Sequence, residues 1–204
     1  MLKAGHHVMD ILSPSDVYYF PGFGDGNVYF KDGTKSSGKL NYNFLLNEIQ
    51  FLSNGDTVSL ADEKNISFVA INTDLFYYDK GYVRLISGNN KAKLTVSNTW
   101  KVGDVRRGSV YNTSTPASSS NSFTSYFVYG RHHDLVVNQD VELTRHEQYF
   151  FGDKSNRILP ANKKNLLTLF PEEKSRIEIY LSENKTDFSN ADDLKKIIAF
   201  LGLP

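Results

Sequence analysis

Histidine is the side chain best suited to metal or proton chemistry, and the chain has five: His6, His7, His132, His133 and His146. His132-His133-Asp134 and His146-Glu147 put imidazoles and carboxylates close together in sequence. If the strands carrying them pair, His132, His133 and His146 could ligate zinc or another transition metal. The spacing matches no established ligand motif. Neighbours on a strand also point to opposite faces, so His132 and His133 do not both reach one ion from an extended segment. A polar hairpin turn accounts for the same residues. A metal-dependent enzyme built on these three histidines is therefore the alternative reading.

Other chemistries find less. Cysteine is absent, which excludes thiol catalysis, thiolate metal sites and disulfides. There is no Gly-x-Ser-x-Gly elbow, and Ser118-Ser119-Ser120 sits in a polar stretch rather than on a rigid strand-to-helix turn. The carboxylate pairs Asp62-Glu63, Glu172-Glu173 and Asp192-Asp193 are sequence neighbours. Glycoside hydrolysis needs two carboxyls facing across a cleft. Gly22-Phe23-Gly24-Asp25-Gly26 is glycine-dense, but a strand follows it where a phosphate loop needs a helix. The sequence thus predicts no catalytic residue and no cofactor.

The aromatic triplets are more informative. Tyr18-Tyr19-Phe20, Phe76-Tyr77-Tyr78 and Tyr149-Phe150-Phe151 each place neighbouring rings on opposite sheet faces. One face can be core. The other meets solvent, the helices or a partner. Tyr18, Tyr19, Tyr77, Tyr78 and Tyr149 are the candidate binding residues, able to stack on sugar rings or to anchor a protein interface.

The elements that position these residues read as strands first and helices last. Val28-Tyr29-Phe30, a turn at Asp32-Gly33, then Leu40 and Tyr42 alternate with polar residues. Ile49 and Phe51 share a face before Asn54-Gly55, the clearest hairpin signal in the chain. Strands follow at residues 57–60, 66–71, 75–78, 82–86 and 91–96, with no helix between them. That spacing predicts antiparallel pairing in a meander of seven or eight strands, as an open curved sheet or a partly closed barrel. Residues 103–125 lose the pattern, and 108–122 are small and polar, which predicts a mobile loop. Strand character returns at 123–129, 135–137, 141–143 and 148–153.

The C-terminus changes period. Leu166, Leu167 and Phe170 fall at helical spacing up to Pro171. Ile177, Tyr180 and Leu181 form a second stripe, and Leu194, Ile197, Ile198 and Leu201 a third. Ser189 reads as the start of a capping box for the last helix, and Gly202 as its end. The fold class is therefore α+β, mostly β, in three parts. Residues 1–24 are an N-terminal segment, 25–160 an antiparallel β-rich domain and 161–204 a small helical unit.

Composition bounds the function. The chain has 204 residues, 40% of them hydrophobic and 23% charged, which suits a packed globular chain and not a disordered one. Basic and acidic residues number 23 each, so there is no excess charge to bind a phosphate backbone, and nucleic acid is excluded as a partner. No apolar run approaches the ~20 residues of a membrane-spanning helix. Twelve Tyr and fourteen Phe against one Trp give an aromatic-rich, β-leaning chain.

Several segments together carry a resemblance. They are the run from Gly26-Asn27-Val28-Tyr29-Phe30 through Lys31 to Asp32-Gly33-Thr34, then Lys39-Leu40-Asn41-Tyr42-Asn43, Glu48-Ile49-Gln50-Phe51 and Gly55-Asp56-Thr57-Val58. Lys163-Lys164-Asn165-Leu166-Leu167-Thr168-Leu169-Phe170-Pro171 and the helices to Leu201 complete the set. In order and turn chemistry the chain resembles uncharacterised exported proteins of Bacteroidetes-type bacteria. The resemblance implies a periplasmic or otherwise exported location and no established activity. The start, Met1-Leu2-Lys3-Ala4-Gly5-His6-His7-Val8, shows no signal peptide, and a cytoplasmic location is the alternative. The function expected is non-catalytic: an envelope binding, accessory or scaffold protein with a protein or glycan partner.

Overall fold

The computed structural model describes residues 12–102 and 143–203. Ten strands among these residues form one sheet: β1 (Gly24–Phe30), β2 (Lys35–Asn43), β3 (Glu48–Ser53), β4 (Asp56–Ser59), β5 (Ile66–Ile71), β6 (Asp74–Tyr78), β7 (Tyr82–Gly88), β8 (Ala92–Val102), β9 (Leu143–Asp153) and β10 (Ile158–Pro160). Every neighbouring pair is antiparallel. The spatial order is β10-β9-β8-β7-β6-β5-β1-β2-β3-β4. The sheet is open, as one of the two expected forms, with β10 and β4 at its edges.

The simple meander is corrected at one point. After β4 the chain crosses through a 3-10 turn, Glu63–Asn65, and β5 pairs with β1 rather than with β4. The hairpin turns are local signals, whereas the free edge that β5 takes is a long-range choice. The apolar Val69 and Ile71 of β5 lie opposite Val28 and Gly26 of β1 in register, and Val28, Val69 and Ile71 are all buried. Gly26 is required there. A Cβ on it would stand 2.6 Å from Leu40 Cδ1 and 2.9 Å from the Ala70 carbonyl.

The Asn54-Gly55 hairpin has the expected geometry, with φ of 52° and 91° at the two residues. Both lie in the left-handed region that a type I′ turn uses. A Cβ on Gly55 would meet nothing within 4 Å, so backbone strain alone opposes substitution. Gly55→Val should cost about 1–3 kcal/mol. Urea denaturation would detect this as a lower midpoint at constant slope, and an unchanged midpoint would contradict the turn type.

Residues paired in register share a sheet face. The inner face buries Val28, Leu40, Tyr42, Ile49, Val69, Ile71, Phe76 and Tyr82 in one cluster. The sheet curls around it. The Tyr42 hydroxyl on β2 donates to the Asn98 carbonyl on β8 at 3.2 Å, although four strands lie between them in the sheet order. A short helix, α1 (Pro14–Val17), covers this face at one end. Trp100 Nε1 donates to the Asp16 carbonyl at 2.7 Å, Arg145 donates to that of Ser15 at 2.8 Å, and Val17 is 1% exposed. Beyond α1 the chain runs along β2, bridging Tyr18 to Asn43. The buried Asn41 carboxamide holds the segment that follows: it accepts from the Phe20 amide and donates to the Phe20 and Gly22 carbonyls.

The C-terminal helices are α2 (Lys163–Leu169), α3 (Lys174–Glu183) and α4 (Ala191–Gly202). The first is capped by Asn162, whose side chain accepts from the Asn165 amide. A 3-10 turn at Pro171–Glu173 separates α2 from α3. The cap of α4 is Asn190 rather than Ser189. The Asn190 side chain accepts from the amides of Asp192 and Asp193, while Ser189 donates to Asp187. Leu194, Ile197, Ile198 and Leu201 pack with Leu166 and Leu169 of α2 and with Ala92, Leu94 and Phe151 of the sheet. Helices and strands therefore share one core. Full burial of each such side chain contributes roughly 1.5–3 kcal/mol, which holds helices too short to persist alone.

Candidate binding surface

The five candidate tyrosines occupy different places. Tyr18 is half-buried, and its hydroxyl donates to Gln50 Oε1 at 3.0 Å. Tyr19 packs against the inner cluster, 5.8 Å from the Phe44 ring and 6.1 Å from that of Phe76, with the Arg84 guanidinium 5.0 Å from its own ring centre. Tyr78 meets Tyr82 edge-on at 5.1 Å. Tyr149 packs against the helical core, and its hydroxyl donates to the Glu147 carboxylate, which with burial pushes its pKa up to about 12. Tyr77 faces the opposite side of the sheet and is 8% exposed. The alternation expected of Tyr77 and Tyr78 is present, but the five rings do not converge on one surface.

The outer face holds a different constellation. Tyr29 on β1 and Phe68 on β5 are register partners, and their rings stack at 4.4 Å with planes 19° apart. Tyr77 continues the row, 6.2 Å from Phe68. A lysine closes each end: Lys35 Nζ lies 5.5 Å from the Tyr29 ring centre, and Lys93 Nζ 5.3 Å from that of Tyr77. Half-buried Leu75, Leu85 and Phe150 border the row. Tyr29 and Phe68 alternate with core residues in sequence, which marks them as strand residues facing outward. Their juxtaposition was hidden because it depends on the long-range pairing of β1 with β5.

Lys93 also anchors the β9–β10 turn across this face. Its ammonium donates to the Asp153 carbonyl at 2.8 Å and to Asn156 Oδ1 at 2.9 Å. Burial pushes its pKa down, and the nearby Asp153 charge opposes that shift. Asp153 is itself buried. Burial acts to raise its pKa, but donors from Arg157 and from the Ser155 and Arg157 amides outweigh it and hold the carboxylate below its usual range.

A cleft of about 430 Å³ lies between this turn and the helices. Its charges are largely satisfied internally. Glu173 accepts from Lys91 at 3.2 Å and from Arg176 at 2.7 Å, and Asp153 pairs with Arg157 at 2.5 Å. That network ties the start of α3 to the residue preceding β8, and the β9–β10 turn to itself.

His132 and His133 lie outside the described residues, as does the whole of 103–142 with its expected loop and strands. His146 is on β9, where burial and the adjacent Lys101 charge both push its pKa down. A cationic neighbour works against metal binding at that imidazole. Among the described residues, no group of three or more histidine and acidic side chains is placed to hold a metal ion. No described helix is long and apolar enough to cross a membrane. Compared with known protein families, curated proteins and solved structures, the chain matches none.

Proposed function

We propose that the chain is a non-catalytic binding or scaffold protein of the bacterial cell envelope, recognising a protein or glycan partner through the outer face of its sheet. The observation that carries this reading is the Tyr29–Phe68–Tyr77 row with a lysine at each end. Aromatic rings flanked by polar groups give contact area at low conformational cost. The aromatic-rich composition and the resemblance to exported β-rich proteins support the envelope location.

The test is a panel of immobilised envelope polysaccharides and purified envelope proteins, probed with the full chain. Tyr29→Ala should weaken binding about three- to tenfold, as expected for one aromatic contact. Its melting temperature should stay close to wild type, because Tyr29 is only half-buried. Binding that ignores both Tyr29→Ala and Phe68→Ala would sink the reading, as would no binding anywhere on the panel.

A further inference from the structure

We infer that residues 35–39 of β2 form an open sheet edge that accepts an extended acidic peptide segment of another protein as an added strand. This rests on the binding reading above and names its partner. β2 runs from Lys35 to Asn43, but among the described residues this side of it pairs only with β3, at Leu40, Asn41, Tyr42 and Asn43. The exposure follows that boundary: residues 35–39 are all exposed, whereas 40–43 are all buried. On the other side, Ser36 and Gly38 pair with Val28 and Gly26 of β1. Backbone bonding in antiparallel strands alternates, and the Phe30 amide bonding to the Thr34 carbonyl sets its phase. Lys35, Ser37 and Lys39 accordingly turn their amides and carbonyls toward the open side.

Edge strands are commonly blocked by charged side chains, proline or a bulge. Here, among the described residues, the side chains leave the edge clear. Lys35 lies over the Tyr29 ring at 5.5 Å, Ser37 donates to Asn27 at 2.7 Å, and Lys39 reaches Asp25 at 2.9 Å. Each leans inward onto its register partner on β1. A Cβ on Gly38 would meet nothing within 4 Å. Leu52, 46% exposed, lies on β3 one residue beyond the last one paired to β2 and offers an apolar contact.

Charge selects the occupant. Lys35 and Lys39 share one face of the edge, so an added strand with carboxylates at alternate positions matches them. The Lys39–Asp25 pair is exposed and weak enough to exchange. A second copy pairing antiparallel about Ser37 would set Lys35 against Lys39, and like charges directly opposite are unfavourable. The edge of β9 before Phe150 is also free of β10, but Arg145 and Glu147 on it have opposite signs and select no partner charge.

The experiment uses the full chain and a fluorescent nine-residue peptide alternating glutamate with threonine and valine. A peptide of the same charge with proline at every third position, which cannot pair as a strand, is the control. Anisotropy should show binding of the first peptide that weakens with salt, and at least tenfold weaker binding of the control. Ser37→Pro removes an outward amide, and Lys35→Glu with Lys39→Glu reverses the charge. Each should weaken binding at least tenfold. Amide hydrogen exchange on the wild-type chain tests the register without any variant: Lys35, Ser37 and Lys39 should slow on binding, and Ser36 and Gly38 should not. Equal affinity for both peptides, or no added protection at these amides, overturns the inference. So does an oligouronate that binds as tightly with the same variant sensitivity, because it would show charge recognition without strand pairing. A partner captured on the envelope panel that ignores Ser37→Pro yet weakens with Tyr29→Ala overturns the edge assignment while leaving the binding reading intact.

Discussion

Ile197→Asp is expected to unfold the protein, not merely to expose a surface. Ile197 is 1% exposed and lies in the cluster formed by α4, α2 and the inner face of β8 and β9. Loss of a buried isoleucine side chain typically costs about 2–5 kcal/mol through transfer and cavity terms. A carboxylate stranded among Leu94, Leu166, Leu194 and Phe151 adds several kcal/mol more, or must take up a proton to stay buried. The sum approaches the roughly 5–15 kcal/mol total stability of a typical domain. Circular dichroism of the variant at 25 °C should show loss of both helical and aromatic signals. Ile179→Asp on α3 is the control: Ile179 is 58% exposed, so its melting temperature should remain near wild type. A folded, monomeric Ile197→Asp protein with wild-type stability would mean that the α4 stripe is a docking surface rather than core.

The packing of α4 is legible in the periodicity of its sequence. Leu194, Ile197, Ile198 and Leu201 recur at helical spacing, and all four are buried on the sheet. Strand type and turn chemistry were equally legible, because alternation and Asn-Gly pairs are local properties. Three things were not. The crossing from β4 to β5 depends on which free edge accepts β5, and nothing near residues 60–66 encodes that choice. The cap of α4 fell one residue later than the serine suggests, because Ser189 bonds to Asp187 and leaves Asn190 to meet the first turn. Strand β10 is three residues long and ends in proline, too short for a period to register. The proposed binding surface was legible only in part. Tyr77 belongs to the outer row, but its neighbours Tyr29 and Phe68 reach it through pairings between β1, β5 and β6 that no single stretch of sequence records.

The second large effect separates the two faces of β6. Phe76 is fully buried, with ring centres of Tyr42, Tyr19 and Phe20 at 5.3, 6.1 and 6.5 Å. Phe76→Ala leaves a cavity where the sheet curls on itself, and truncations of this kind cost about 3–5 kcal/mol. The neighbouring rings relax only in part, because Tyr42 is pinned by hydrogen bonds to Asn47 and Asn98 and Arg84 lies over Tyr19. For a chain of this length the loss corresponds to a fall of roughly 10 °C in melting temperature. Below that temperature the variant should retain whatever partner binding Tyr29→Ala loses, since Phe76 points inward and the aromatic row points out. Stability and binding would then respond to different residues of the same sheet. A destabilisation under about 1 kcal/mol would contradict the curled inner core, and a loss of binding in folded Phe76→Ala protein would place the recognition surface on the inner face instead.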